Sequence, residues 1–238
     1  MPAEFFFKDR SSLLAQLQQD LCAQLESTLA HSARASLFLS GGSTPVPLYK
    51  NLASLPLPWQ RLHVALVDER WVPLDSAASN ERMLRETLLV DAAATVQFTG
   101  MKNALSLTGN EDAEAVDRCN ALYAGLPHPY SAALLGMGPD GHTASLFPHA
   151  KGLAHALRVQ EHCAAIHAIE SAVTGQYTQR MTMTPWSLLQ CERLFLLFTG
   201  DDKRAVYENA KTIADPVALP TAVFLQQTTA PVDVYWCP

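Results

Sequence analysis

The chain has 238 residues, 48% of them hydrophobic and 17% charged, proportions that exclude a disordered or fibrous protein and leave room for one domain with a sizeable core. A net charge of −6 with no basic run excludes a nucleic-acid surface, so an anionic ligand would need a local pocket built from individual Arg and Lys side chains. The five cysteines, Cys22, Cys119, Cys163, Cys191 and Cys237, are odd in number and form no C-x-x-C pair, which argues against a disulfide framework or zinc knuckle and for reduced thiols in the cytoplasm.

Met1 to Arg10 carries charges on either side of Phe5-Phe6-Phe7 and lacks the apolar region of a signal peptide. No stretch reaches the roughly 18 apolar residues that a membrane span needs, so no membrane partner is expected. Leu14, Leu17, Leu21 and Leu25 recur at three- and four-residue spacing within Ser12 to Ala30, which predicts a helix with one buried face. Ser36 to Leu39 is a short apolar run that meets Ser40-Gly41-Gly42-Ser43-Thr44-Pro45, and a helix is expected from Val46 to about Ala53.

The same grammar returns downstream. Val64 to Val67 runs into Asp68-Glu69-Arg70, followed by a helix from near Ser79-Asn80 through Leu89, and a further helix is expected over Asp112 to Tyr123. Ala132 to Leu135 leads into Gly136-Met137-Gly138-Pro139-Asp140-Gly141-His142. Strand character continues at His162 to Ile169, Met181 to Thr184, Arg193 to Phe198 and Val232 to Trp236, with a helix from about Asp202 to Thr212. Apolar runs that do not alternate imply strands buried on both faces. The expected fold class is therefore α/β: a three-layer α/β/α arrangement around a mostly parallel, Rossmann-like sheet with helices on both faces, plus a smaller excursion, all within a single domain over residues 1–238. In such sheets ligands sit beyond the carboxyl ends of the strands, where strand order reverses.

Three strand tails carry chemistry. Gly41-Gly42-Ser43-Thr44 could present backbone N–H groups, two hydroxyls and a helix N-terminus to an anion, although the same residues also suit a plain strand-to-helix turn. It matches neither a Walker A loop nor G-x-G-x-x-G. In Asp68-Glu69-Arg70, Arg70 could grip a phosphate bidentately while the carboxylates orient it or bond sugar hydroxyls. A structural ion-pair cluster is the alternative. His142 is a natural general base, since an imidazole's unperturbed pKa is about 6.5. Asp140 stands two residues away to support it, and Gly136, Gly138 and Gly141 could offer N–H groups to an oxyanion. Arg180 and Lys203 are two further cations at strand ends, and no histidine spacing suggests a metal.

Taken together, Leu39 to Pro45, Asp68 to Pro73 with Ser79-Asn80, and the fifteen residues Leu134 to Pro148 resemble the 6-phosphogluconolactonase family, which is related to the glucosamine-6-phosphate deaminases. Looser likeness runs through Arg180-Met181-Thr182 and Lys203 to the closing Tyr-Trp, nearly the whole chain. The resemblance implies hydrolysis of 6-phospho-D-glucono-1,5-lactone without metal or organic cofactor, by a monomer or small homo-oligomer acting on a small sugar phosphate. It places the base on His142, the orienting acid on Asp140, and phosphate recognition on Gly41 to Thr44, Arg70, Lys203 and Arg180. The chain departs from the family in having Leu66-Val67 where an aromatic residue and a glycine commonly precede Asp-Glu-Arg. Two rival readings follow: an amino-sugar phosphate deaminase, against which Phe147 stands where that family has a carboxylate, and a non-catalytic sensor, which would need no base.

Overall fold

A computed structural model describes residues 2–103 and 112–238. Among the described residues ten strands and eight α-helices follow one another: β1 (Ala3–Phe6), α1 (Arg10–His31), β2 (Ala35–Leu39), α2 (Val46–Ala53), β3 (Leu62–Leu66), β4 (Asp68–Arg70), α3 (Asn80–Thr87), β5 (Gln97–Thr99), α4 (Asp112–Ala124), β6 (Tyr130–Gly136), α5 (Leu153–Ala156), β7 (Cys163–His167), β8 (Gln179–Met183), α6 (Pro185–Leu188), β9 (Arg193–Thr199), α7 (Asp201–Ala210), α8 (Ala222–Leu225) and β10 (Val232–Cys237).

Seven strands form the central sheet in the order β1-β10-β9-β6-β2-β3-β5, and every pairing in it is parallel. All five residues of β2 are buried, as expected for a strand covered on both faces. Helices do cover both faces. Tyr235 on β10 donates its hydroxyl to Asp20 of α1 at 2.6 Å, while its neighbour Trp236 lies under the Arg204 guanidinium of α7 at 4.4 Å; successive strand residues point to opposite faces, so α1 and α7 flank the sheet on either side.

The first helix is fixed by its leucines. Leu13, Leu17 and Leu21 are fully buried, each worth roughly 1.5–3 kcal/mol of transfer free energy. Asp9 caps the helix by accepting from the Ser12 N–H at 2.8 Å, a contact worth about 1 kcal/mol. The smaller excursion is a three-stranded antiparallel sheet, β4-β8-β7. Asp68 to Arg70, expected as a polar strand tail, is thus itself a strand. Val67 makes the transfer between sheets: its N–H donates to Leu39 at 3.0 Å and its carbonyl accepts from Met183 at 2.8 Å.

Chain order also locates the switch point. From β2 the chain moves through β3 to β5 on one side, then returns to β6 on the other side of β2 and continues to β9 and β10. Strand order therefore reverses between β2 and β6, and the carboxyl ends of those strands open the crevice where such folds hold ligands. No helix among the described residues is long and apolar enough to cross a membrane.

Candidate active site

A crevice of about 420 Å³ opens at that point, lined among others by Gly41, Gly42, Thr44, Asp68, Arg70, Asn80, His142, Arg180 and Lys203, within the size range of small-molecule sites. After β2 the backbone turns through Gly42 at φ +93°, a conformation that favours glycine. Arg10 at the start of α1 holds this turn from outside, donating to the carbonyls of Ser43 at 3.3 Å and Thr44 at 2.8 Å. Among the described residues the N–H groups of Gly41 to Thr44 have no intramolecular acceptor, so the loop presents unused donors beside α2, whose N-terminus carries partial positive charge. The Ser43 side chain is exposed and outside the lining; the structure brings Gly41, Gly42 and Thr44 to the crevice but not Ser43.

The antiparallel sheet supplies the second wall. Arg70 on β4 stands directly opposite Arg180 on β8, and Asp68 opposite Thr182, so these four side chains share one face and Glu69 takes the other. Like charges in register are unfavourable by themselves. Arg180 is only 3% exposed and donates from Nε to the Tyr177 carbonyl at 2.7 Å and from Nη2 to the Thr174 carbonyl at 3.3 Å. Burial lowers its pKa to about 10, which leaves it a cation at neutral pH. Arg70 donates from Nη1 to the Ala78 carbonyl at 3.0 Å and to Asn80 Oδ1 at 2.9 Å, and its buried Nε has no partner. Among the described residues neither guanidinium is paired with a carboxylate. Both are oriented by neutral oxygens, which leaves their charge available to an anion.

Glu69, expected to orient Arg70 or bond a sugar, does not touch the Arg70 guanidinium and accepts from Arg70 only the backbone N–H, at 2.8 Å. Its carboxylate accepts from the N–H groups of Asn80 and Glu81, each at 2.8 Å, and from the Ser79 hydroxyl at 3.0 Å, so it anchors the N-terminus of α3. Burial raises its pKa in spite of those donors. Asp68 is buried and accepts from the Ser145 hydroxyl at 2.5 Å. That contact occupies Ser145, which is itself fully buried.

The third wall is the turn after β6. Asp140 Oδ1 meets His142 Nδ1 at 2.5 Å and also accepts the His142 N–H at 3.2 Å. Burial works to raise the Asp140 carboxyl, but the hydrogen bond and charge of His142 outweigh it and hold its pKa below the ordinary value. The His142 ring rests against Phe147 with centroids 4.3 Å apart and keeps 19% of its side chain exposed, enough for water to reach it. A Cβ on Gly138 would lie 2.2 Å from His142 Nδ1 and 2.7 Å from Asp140 Oδ1, so glycine is required for the pair to pack on the backbone. The expectation that Gly138 and Gly141 offer N–H groups to an oxyanion is corrected: they donate to the carbonyls of His142 at 2.9 Å and Gly138 at 3.1 Å. Closing the turn occupies these two N–H groups. Ala144, also in the lining, sits at φ +50°, a strained backbone of the kind that gathers at sites.

Lys203 reaches the crevice from the first turn of α7. Among the lining residues to which sequence reasoning gave no role is Asn80, marked only as part of a matching Ser-Asn pair; the signal was its position just after the Ser79 cap of α3, beside the acidic strand. Among the described residues no group of three or more His, Cys, Asp or Glu side chains is gathered as a metal site.

Residues 8–236 match the family model described as glucosamine-6-phosphate isomerases/6-phosphogluconolactonase. The chain is 37% identical over 230 residues to a 6-phosphogluconolactonase of Pseudomonas putida, covering 97% of this chain and 90% of that protein. It is 35% identical over 232 residues to one of Mesorhizobium japonicum, covering 98% and 94%. Among solved structures, a 6-phosphogluconolactonase from Shewanella baltica superposes with a TM-score of 0.92 at 34% identity, covering 100% of this chain and 98% of the other.

Proposed function

Because the chain belongs to the family of glucosamine-6-phosphate isomerases and 6-phosphogluconolactonases, we propose that its crevice hydrolyses 6-phospho-D-glucono-1,5-lactone to 6-phosphogluconate, the lactone-opening step of the oxidative pentose phosphate pathway, in the cytoplasm. The observation that carries this reading is that His142, held by Asp140, lines one crevice with two arginines that no carboxylate pairs among the described residues.

The phosphate binds between Arg70, Arg180 and Lys203 with the N–H groups of the Gly41 to Thr44 loop, which places the lactone carbonyl toward His142. The Asp140 carboxylate accepts a hydrogen bond from Nδ1–H, which leaves the lone pair of neutral His142 on Nε2. Nε2 accepts a proton from water as the water oxygen forms its bond to C1. The tetrahedral intermediate then breaks its bond from C1 to the ring oxygen, and the imidazolium, stabilised by the Asp140 carboxylate, returns the proton to that oxygen. Asp68, held by Ser145 and Asn80, is placed to accept a hydrogen bond from a sugar hydroxyl. General-base help of this kind supplies roughly 10²–10⁴-fold, and positioning adds to it; an ester already strained in a ring needs no covalent intermediate.

Timed loss of freshly prepared 6-phosphogluconolactone tests the reading. Hydrolysis well above the spontaneous rate, and faster than that of the unphosphorylated lactone, is the expected result. A rate equal to background, or release of ammonia from glucosamine 6-phosphate instead, would overturn it.

A further inference from the structure

Resting on that reading, we propose that Asn80 is a positioning residue which orients Arg70 without neutralising it, and so sets the preference for phosphorylated over unphosphorylated lactones. Asn80 is 1% exposed and is the first residue of α3, so its backbone is fixed by the bond from its N–H to Glu69 Oε1 at 2.8 Å. Its side chain touches three separate parts of the crevice. Oδ1 accepts from Arg70 Nη1 at 2.9 Å, and Nδ2 donates to the Asp68 carbonyl at 2.8 Å while lying 3.4 Å from the Asp68 carboxylate. Its flank lies against the glycine loop so closely that a Cβ on Gly41 would fall 1.9 Å from Oδ1.

These contacts dictate the chemistry of the group. The end facing Asp68 must donate, because both oxygens there are acceptors. The end facing Arg70 must accept, because a guanidinium has only donors. A carboxamide meets both demands with no net charge. A carboxylate of the same shape would set an oxygen against Asp68 and place a permanent anion on Arg70 Nη1, where it would compete with the substrate phosphate for the same cation. The Glu69 carboxylate is turned onto backbone N–H groups, those of Arg70, Asn80 and Glu81, so among the described residues the Arg70 guanidinium itself donates only to neutral acceptors.

The experiment compares Asn80→Asp and Asn80→Ala with the wild-type chain. It measures kcat and KM on 6-phosphogluconolactone and on gluconolactone, and calorimetric affinity for inorganic phosphate, with thermal melting to confirm folding. For Asn80→Asp the KM for the phosphorylated lactone should rise about tenfold or more, the value of one compromised charge-assisted contact, with kcat within about threefold and phosphate affinity reduced in parallel. For Asn80→Ala, which frees Arg70 without adding charge, a smaller loss of about two- to fivefold is expected. A folded Asn80→Asp chain with wild-type KM and phosphate affinity, or one that loses kcat equally on both lactones, overturns the proposal. If Asn80→Asp does not fold, an unchanged phosphate affinity in Asn80→Ala overturns it and a weakened one supports it. Wild-type protein that binds phosphate but opens neither lactone would refute the activity and not this assignment, which the calorimetric comparison still decides.

Discussion

Asp140 and His142, separated by one glycine, meet through Oδ1 and Nδ1 at 2.5 Å against Gly138, where a Cβ would collide with both side chains. Replacing either partner should act on the reaction and leave the chain folded. His142→Ala should lower kcat by about 10²–10⁴-fold, and Asp140→Asn, which loses the carboxylate that fixes the ring tautomer, should fall in a similar range. Steady-state rates corrected for spontaneous hydrolysis check both; near-wild-type kcat in His142→Ala would remove the base from the mechanism.

Gly138→Ala tests the packing itself. The new methyl would stand 2.2 Å from two atoms of the imidazole, so the ring must shift. A displacement of about 1 Å is enough for a loss near 10²-fold in kcat. Substrate affinity should change little, because Arg70 and Arg180 lie on the other wall. A variant with normal kcat and raised KM would contradict this division.

The arginine pair predicts the opposite signature. Arg70→Ala or Arg180→Ala should raise KM for the phosphorylated lactone by roughly 10- to 100-fold, since a hydrogen bond to a charged group is worth about 1.5–3 kcal/mol, with a smaller effect on the unphosphorylated analogue. Arg180→Lys should rescue poorly, because an ammonium cannot reproduce the fork that reaches the Tyr177 and Thr174 carbonyls together. Full rescue by lysine would show that only the charge matters.

Acid stability should report the Asp140 contact. A carboxyl whose folded pKa is held below its unfolded value of about 3.9 stabilises the native state at higher pH, and that contribution is lost as the pH falls from about 4 through the folded value. The stability gap between the wild type and Asp140→Asn, measured by urea unfolding, should therefore shrink as the pH falls below about 4. A gap that widens on acidification would reverse the assigned direction of the shift.

Most of the regular structure was legible because it is written locally. The leucine spacing of α1, the buried runs of β2, β6 and β9, and the Ser79 cap of α3 lie in the order and within a few residues of where periodicity and capping place them. What escaped was paired at a distance. Ala3–Phe6 is mostly exposed and becomes a strand only by pairing with β10, where Phe5 stacks on Tyr235 at 5.1 Å. Gln97–Thr99 is a strand for the same reason beside β3.

By itself the sequence determined that a parallel α/β sheet forms, that its strands end in anion-friendly and histidine-bearing turns, and that Asp140 can reach His142 across one glycine. Only the tertiary structure decided which side chains share the crevice: Arg70 faces Arg180, Glu69 turns to the α3 backbone, Ser43 stays outside, Asn80 joins Arg70 to Asp68, and the turn after β6 uses the N–H groups of Gly138 and Gly141 itself. The reason is physical. Periodicity and turn chemistry act over a few neighbouring residues, whereas the register of β4 against β8 joins residues more than a hundred positions apart, and a shift of one residue there would separate Arg70 from Arg180 by turning one strand's side chains to the opposite face.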